Sequence, residues 1–198
     1  VSAQEAFKIL ITEHIAPELR RLGWQGSMGK WHLPHQTHWV MLSLGRWAKR
    51  SSAVEAVFSV SLLVISKDQW DAENIPAGRR AARPTVSWEP HGWNADLRAI
   101  ARDHDGDVPE HWTVRPDSDL PALARDVLDA IQAYALPEIE RQLSMIDVEA
   151  HVCWHNVGGR NWFEPCRRPA DVTLRTRSRT TYRCAEHADA ARAALGSE

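Results

Sequence analysis

Cysteine is absent from the first 152 residues, and the three in the chain, Cys153, Cys166 and Cys184, all fall in its last quarter. An odd count set among histidines fits metal ligation better than a disulfide framework. Long apolar runs are missing as well. No stretch approaches the roughly 18 apolar residues of a membrane span, and the opening VSAQEAFKIL lacks the basic flank and long apolar core of a secretory signal. These absences predict a cytoplasmic protein that makes no membrane contact. A surplus of either charge is also lacking: the formal net charge is −2, so any attraction to an anionic partner has to come from a local cluster. Tyrosine and phenylalanine are scarce, at 2 and 3, whereas tryptophan reaches 10 and lies mostly before residue 113.

What is present is a chain of 198 residues with 43% apolar content, enough for one domain with a real core plus an appendage. We place the domain at 1–147 and the appendage at 148–198. Phe7, Leu10, Ile11, Leu19 and Leu22 recur at spacings of three and four, which predicts a helix over 3–22 with Gly23 at its C-terminal end. Pro17 removes one backbone donor and is expected to kink that helix or split off its first turns. From residue 30 the period becomes two. Val40, Leu42 and Leu44, then Phe58, Val60, Leu62 and Val64, alternate with Trp39, Met41, Ser43, Gly45, Ser59 and Ser61. Two long strands are therefore expected, paired as a hairpin around the turn 48–54, with a shorter strand at Lys30–Leu33 before them. Further short strands are expected at Thr85–Trp88 and His111–Val114. Asp119 can cap a helix carrying Pro121 in its first turn and Leu123, Val127, Leu128, Ile131 and Tyr134 on its apolar face, with Pro137 interrupting it. The predicted class is α+β: an antiparallel sheet with N- and C-terminal helices packed on it.

The run Ile15-Ala-Pro17-Glu-Leu19-Arg-Arg-Leu22-Gly23-Trp24, the Ser-rich apolar strands and the closing Ala-Leu136-Pro137-Glu-Ile139-Glu140 carry a likeness. Over residues 3–143 the chain resembles the 4304 family of domains of unknown function. That family has no settled activity, so the resemblance implies the fold and assigns no catalytic residue.

No nucleophile elbow, phosphate loop, dinucleotide fingerprint or helical pair of metal histidines occurs in the large domain, which points away from an enzyme. Asp103-His104-Asp105-Gly106-Asp107 imitates a calcium loop, but Val108 stands where the glycine belongs and Val114 where the bidentate glutamate belongs. It reads as a solvated acidic loop. His32, His35 and His38 recur every three residues around Pro34, and without a helix to fix them they read as exposed polar positions rather than ligands. Trp39 and Trp47 fall on the strand face opposite Val40, Leu42 and Leu44, where they either line a cleft for a flat or cationic ligand or pack as core.

The densest constellation runs from Cys153 to His187. Cys153-Trp-His155 and Cys166-Arg-Arg-Pro169 precede Arg183-Cys184-Ala-Glu-His187, a Cys-x2-His pair that opens an alanine-rich, helix-forming run. This resembles the short zinc ribbons and treble clefs in which a cysteine pair, a β-hairpin and Cys-x2-His lead into a helix. It departs from them at Pro169, where the second cysteine of the first knuckle usually stands. The expected ligand set for zinc is therefore Cys153, Cys166, Cys184 and His187, with His151 and His155 as alternates to Cys153. From Asp171 to Arg183 apolar or hydroxyl residues alternate with Arg175, Arg177, Arg179 and Arg183, so a regular strand would carry four arginines on one face. Residues 160–183 hold seven arginines against Glu164 and Asp171. Arginine forks suit phosphate or carboxylate, so this face is the expected dock for an anionic partner, unless acidic groups of the protein neutralise it.

These features predict a non-enzymatic binding or adaptor protein with a structural zinc site and a basic face. Two alternatives remain open from the residues: nucleic-acid binding through the arginine strand, and a defence-associated protein that binds a toxin.

Overall fold

The computed structural model describes residues 1–74, 83–86, 92–149, 172–175 and 180–195. The chain divides into two compact units. One comprises Val1–Pro34, Val40–Val64 and Thr85–Arg141, and the other His35–Trp39, Ile65–Pro84 and Gln142–Glu198.

The chain starts with α1 (Ala3–Ile9), whose N-terminal turn is closed by a capping box: the Ser2 hydroxyl accepts from the Glu5 N–H and the Glu5 carboxylate accepts from the Ser2 N–H. A π-helical stretch (Leu10–Ile15) leads without a break into α2 (Ala16–Arg21). The α-helical ladder is interrupted before Pro17, by a π stretch and not by a gap in the helix. The wider π turn sits just before Pro17, where the ring of a proline would otherwise collide with a carbonyl one turn back, and the extra residue takes up that misfit. Gly23, at φ 88°, then reverses the chain, and the Trp24 N–H returns to the Leu19 carbonyl at 2.9 Å.

The six-stranded sheet follows the order β1 (Gln25–Ser27), β2 (Lys30–Leu33), β3 (His38–Arg46), β4 (Ala56–Ser66), β5 (Trp93–Asp96), with β6 (Trp112–Val114) also pairing β4. The connection 47–55 is too short for a parallel crossover, so β3 and β4 form the expected hairpin. Both strands run further than their alternation indicated. β5 pairs Ser61–Val64 and β6 pairs Ala56–Phe58, so two short strands share one edge of β4. The strand expected near His111 is therefore present, while Thr85 and Val86 lie outside any strand and Ser87 and Trp88 lie outside the described residues.

The polar stretch after β4 forms α3 (Lys67–Asn74), and α4 (Leu97–Asp103) follows β5 directly, capped by the Asp96 carboxylate on the Arg98 N–H at 3.1 Å. Asp103 is the last residue of α4 and Asp105 takes a positive φ, so the acidic string is the turn that ends this helix. Next comes α5 (Leu120–Ala130), capped by Asp119 as its sequence predicted. Before Pro137 a second π stretch (Ile131–Ala135) precedes α6 (Leu136–Glu149), repeating the arrangement around Pro17. In the first unit, the stretch 10–15 packs on α5 and the stretch 131–135 on α4. Phe7 of α1 meets Phe58 of β4 with ring centroids 5.1 Å apart. The α+β class with an antiparallel sheet and helices packed on it is thus the observed one.

The second unit adds a hairpin of β7 (Val172–Arg175) and β8 (Thr180–Arg183), followed by α7 (Ala185–Leu195). Among the described residues no helix is long and apolar enough to cross a membrane.

Leu62 is fully buried in the middle of β4. Leu62→Ala is expected to lower the unfolding free energy by about 2–5 kcal/mol in a denaturant titration, the cost of a core cavity, whereas Val54→Ala at an exposed position should leave it within about 0.5 kcal/mol.

Candidate functional site

Of the expected zinc ligands, the structure describes Cys184 and His187, and it brings them together. Cys184 is buried immediately before α7, and its Sγ lies 3.2 Å from His187 Nδ1 one helical turn on, where the His187 N–H also meets the Cys184 carbonyl at 3.0 Å. The helix start fixes this spacing, because residues i and i+3 share a face. Zn–S near 2.3 Å and Zn–N near 2.0–2.1 Å at a tetrahedral angle give a ligand separation of about 3.5 Å, so the two atoms stand close to the spacing of a bound pair. Cys153, Cys166, His151 and His155 lie outside the described residues. Among the described residues no group of three or more His, Cys, Asp or Glu side chains is placed to hold a metal ion.

The expected arginine face takes a different form. The described residues of 172–183 pair as a hairpin, the element expected before Cys-x2-His, so their arginines do not lie along one strand: Val172 is opposite Arg183 and Arg175 opposite Thr180. Arg175 therefore stands at the turn end of the hairpin and Arg183 at the other end. Alternation alone cannot reveal this, since a hairpin of the right register preserves the period of two in both arms. Arg177 and Arg179 lie outside the described residues. Arg183 is buried, and its Nη1 donates to Asp68 of α3 at 2.7 Å, with both side chains nearly sealed from solvent. The pair ties β8 to α3.

The three histidines do not behave as exposed polar positions. His32 and His38 are buried, at 8% and 2% exposure, because β2 and the first residue of β3 turn them inward. The Thr37 hydroxyl sits 2.7 Å from His38 Nδ1 and 3.3 Å from His35 Nδ1, and the two rings lie 5.4 Å apart.

Trp39 and Trp47 each make contacts of their own. Trp39 is the second residue of β3 and Trp47 follows its last. Lys67 Nζ covers the Trp39 ring at 5.1 Å from its centroid. Trp47 is 42% exposed, yet held from several sides. Its Nε1–H donates to Ser59 Oγ at 3.0 Å, the His111 ring lies at 4.5 Å, and the Arg50 guanidinium sits over the indole at 5.2 Å while donating to His111 Nε2 at 2.6 Å. The Ser59 hydroxyl in turn supports the Asp96 carboxylate. Burial pushes the Asp96 carboxyl above its ordinary value, against the Arg98 N–H, the nearby His111 and Arg98 side chains, and Ser59. This network escapes a reading of the sequence, because Trp47, Ser59, Asp96 and His111 come from four separate segments. The local signals were Trp47, a candidate cleft residue, and the turn 48–54 carrying Lys49 and Arg50; neither points to Ser59, Asp96 or His111.

Comparison with family models, with curated proteins and with solved structures finds no match to this chain.

Two outcomes follow from these contacts. Removing one partner of the buried ion pair by Asp68→Ala should cost about 3–5 kcal/mol, while the apolar pair Asp68→Leu with Arg183→Met should recover most of it, read by thermal or denaturant unfolding. For Asp96 the sign follows from a folded-state value above the ordinary 3.8. The folded chain takes up this proton at higher pH than the unfolded chain, so the ionised form carries a burial penalty at neutral pH that is relieved as pH falls toward that ordinary value. Asp96→Asn keeps a helix cap and removes the charge. It is therefore expected to match or exceed the parent in melting temperature at pH 7, with the gap closing as pH approaches 4. A parent that is clearly more stable at pH 7 would contradict the assignment.

Proposed function

We propose that the protein is a non-enzymatic binding protein whose C-terminal hairpin and helix form a zinc-stabilised module that meets an anionic partner. The observation that carries this reading is the Cys184–His187 pair, set at 3.2 Å on the first turn of α7 and directly after the β7–β8 hairpin. A hairpin followed by a ligand pair at a helix start is the half of a structural zinc site that local chain geometry can build by itself. Cys166 and Cys153 are the proposed remaining ligands, with His151 and His155 as alternates to Cys153. Such an ion supplies folding free energy to a segment with little apolar core, and only deprotonated thiols and neutral imidazole can bind it. Because Arg183 is committed to Asp68, the proposed anion-facing arginines are Arg175, Arg177 and Arg179.

Purified protein is expected to hold one zinc per chain by elemental analysis and to lose it in Cys184→Ser. The charge-removal variant Arg175→Ala/Arg177→Ala/Arg179→Ala should keep the zinc and elute from a heparin column at lower salt than the parent. Metal-free, fully folded parent protein would end the zinc reading, and unchanged heparin retention would end the basic-face reading.

A further inference from the structure

The turn after β3 presents an indole fixed in place from beneath and ringed by cations. Arg46, Trp47, Lys49 and Arg50 are all exposed. Among the described residues none of these three cations forms an ion pair with a carboxylate. The acidic residues in the surrounding segments are already engaged: Glu55 holds Arg115 at 3.0 Å, and Glu110 holds Arg98 at 3.3 Å. Arg50 spends one donor on His111 and retains the others of its guanidinium.

An exposed tryptophan usually keeps rotamer freedom or buries itself, and Trp47 does neither. Its Nε1–H is tied to Ser59 in the middle of β4, a hydroxyl only 5% exposed, and that hydroxyl backs onto Asp96. Burying a hydroxyl and much of a carboxylate to steady a ring that remains 42% exposed returns little to the core. What it does provide is an aromatic surface in one orientation, with the Arg50 guanidinium over one face, 42% of the residue left to solvent, and positive groups on either side of it in the chain. A base can stack on such a surface at small entropic cost while the flanking cations meet the phosphates. An acidic polypeptide would use the cations but has no need of an oriented indole.

We propose that the 46–50 turn is a contact site for single-stranded nucleic acid, with Trp47 as the stacking platform and Arg46, Lys49 and Arg50 as phosphate contacts. The site lies in the first unit and does not depend on zinc or on the C-terminal arginines.

The test uses the full chain and fluorescence anisotropy with a labelled oligothymidine. Binding is expected to weaken with salt, and Arg46→Ala/Lys49→Ala/Arg50→Ala should flatten the log–log salt slope by about two, near 0.7 per lost phosphate contact. Trp47→Ala should weaken binding on the order of tenfold, and Trp47→Phe, which keeps an aromatic face, should lose less. Zinc content of the triple alanine variant should match the parent, and its melting temperature should fall by no more than about 2–4 °C, the loss of the Arg50 contacts to Trp47 and His111, so that lost binding reflects contact and not folding. No binding by the parent would overturn the site. So would binding unchanged in both the triple alanine and Trp47→Ala variants, or binding abolished only by the Arg175/Arg177/Arg179 changes. Displacement of the oligonucleotide by polyglutamate of equal charge, with equal potency to unlabelled oligothymidine, would replace it with an acidic protein partner.

Discussion

Strand β4 is the constraint on which the first unit is built. Phe58, Val60, Leu62, Leu63 and Val64 are all fully buried, so both faces of the strand are covered, and a strand in that position has to satisfy its backbone on both edges. On one edge it has β3, while on the other no single long partner exists and β5 and β6 divide the length between them. This division sets the places of the polar groups as well. Ser59 falls in the interval between the two short partners, β5 ends on Asp96 and β6 begins one residue after His111, so a hydroxyl, a carboxylate and an imidazole arrive near one end of the β3–β4 hairpin. The fixed indole of Trp47 is a consequence of how β4 is partnered.

The abundance of tryptophan has two explanations in this chain. Trp24, Trp31, Trp70 and Trp112 are buried and serve packing, which is the ordinary use of so large an apolar ring. Three rings also carry a cation over one face: Arg20 over Trp31, Lys67 over Trp39 and Arg50 over Trp47. Such contacts contribute about 0.5–1 kcal/mol at exposed sites, enough to favour Arg and Lys as lids on indoles at the core boundary. Among the described tryptophans Trp47 is the exposed one, and its ring is held by Ser59, His111 and Arg50.

Periodicity was legible where one residue type decided the structure. The helix faces of Leu10, Ile11 and Leu19 and of Val127, Leu128 and Ile131, the Asp119 cap and the long β3–β4 hairpin all follow from local pattern. The prolines marked where the α-helical ladder is interrupted but not how: in both cases a π turn precedes the proline and the helix continues past it. β1, β5 and α4 went unseen since each is too short to establish a period of its own. The arginine alternation was real but crossed a turn. Arg183 was read as part of a basic face unless acidic groups of the protein neutralise it, and Asp68, 115 residues earlier in the chain, pairs with it. Of the candidate site, the Cys184–His187 pair was readable because three residues at a helix start fix their own geometry, whereas the Trp47 network was not, being assembled from segments distant in sequence.

The central functional claim is that Cys184 and His187 are half of a tetrahedral metal site completed by the other two cysteines of the chain. Cobalt(II) substitution tests it most directly, since the visible spectrum reports both coordination geometry and the number of thiolates. Intense tetrahedral ligand-field bands, with sulfur-to-cobalt charge transfer that falls stepwise in Cys153→Ser, Cys166→Ser and Cys184→Ser, are the result expected. A weak octahedral spectrum without thiolate charge transfer, from protein that is folded, would contradict it.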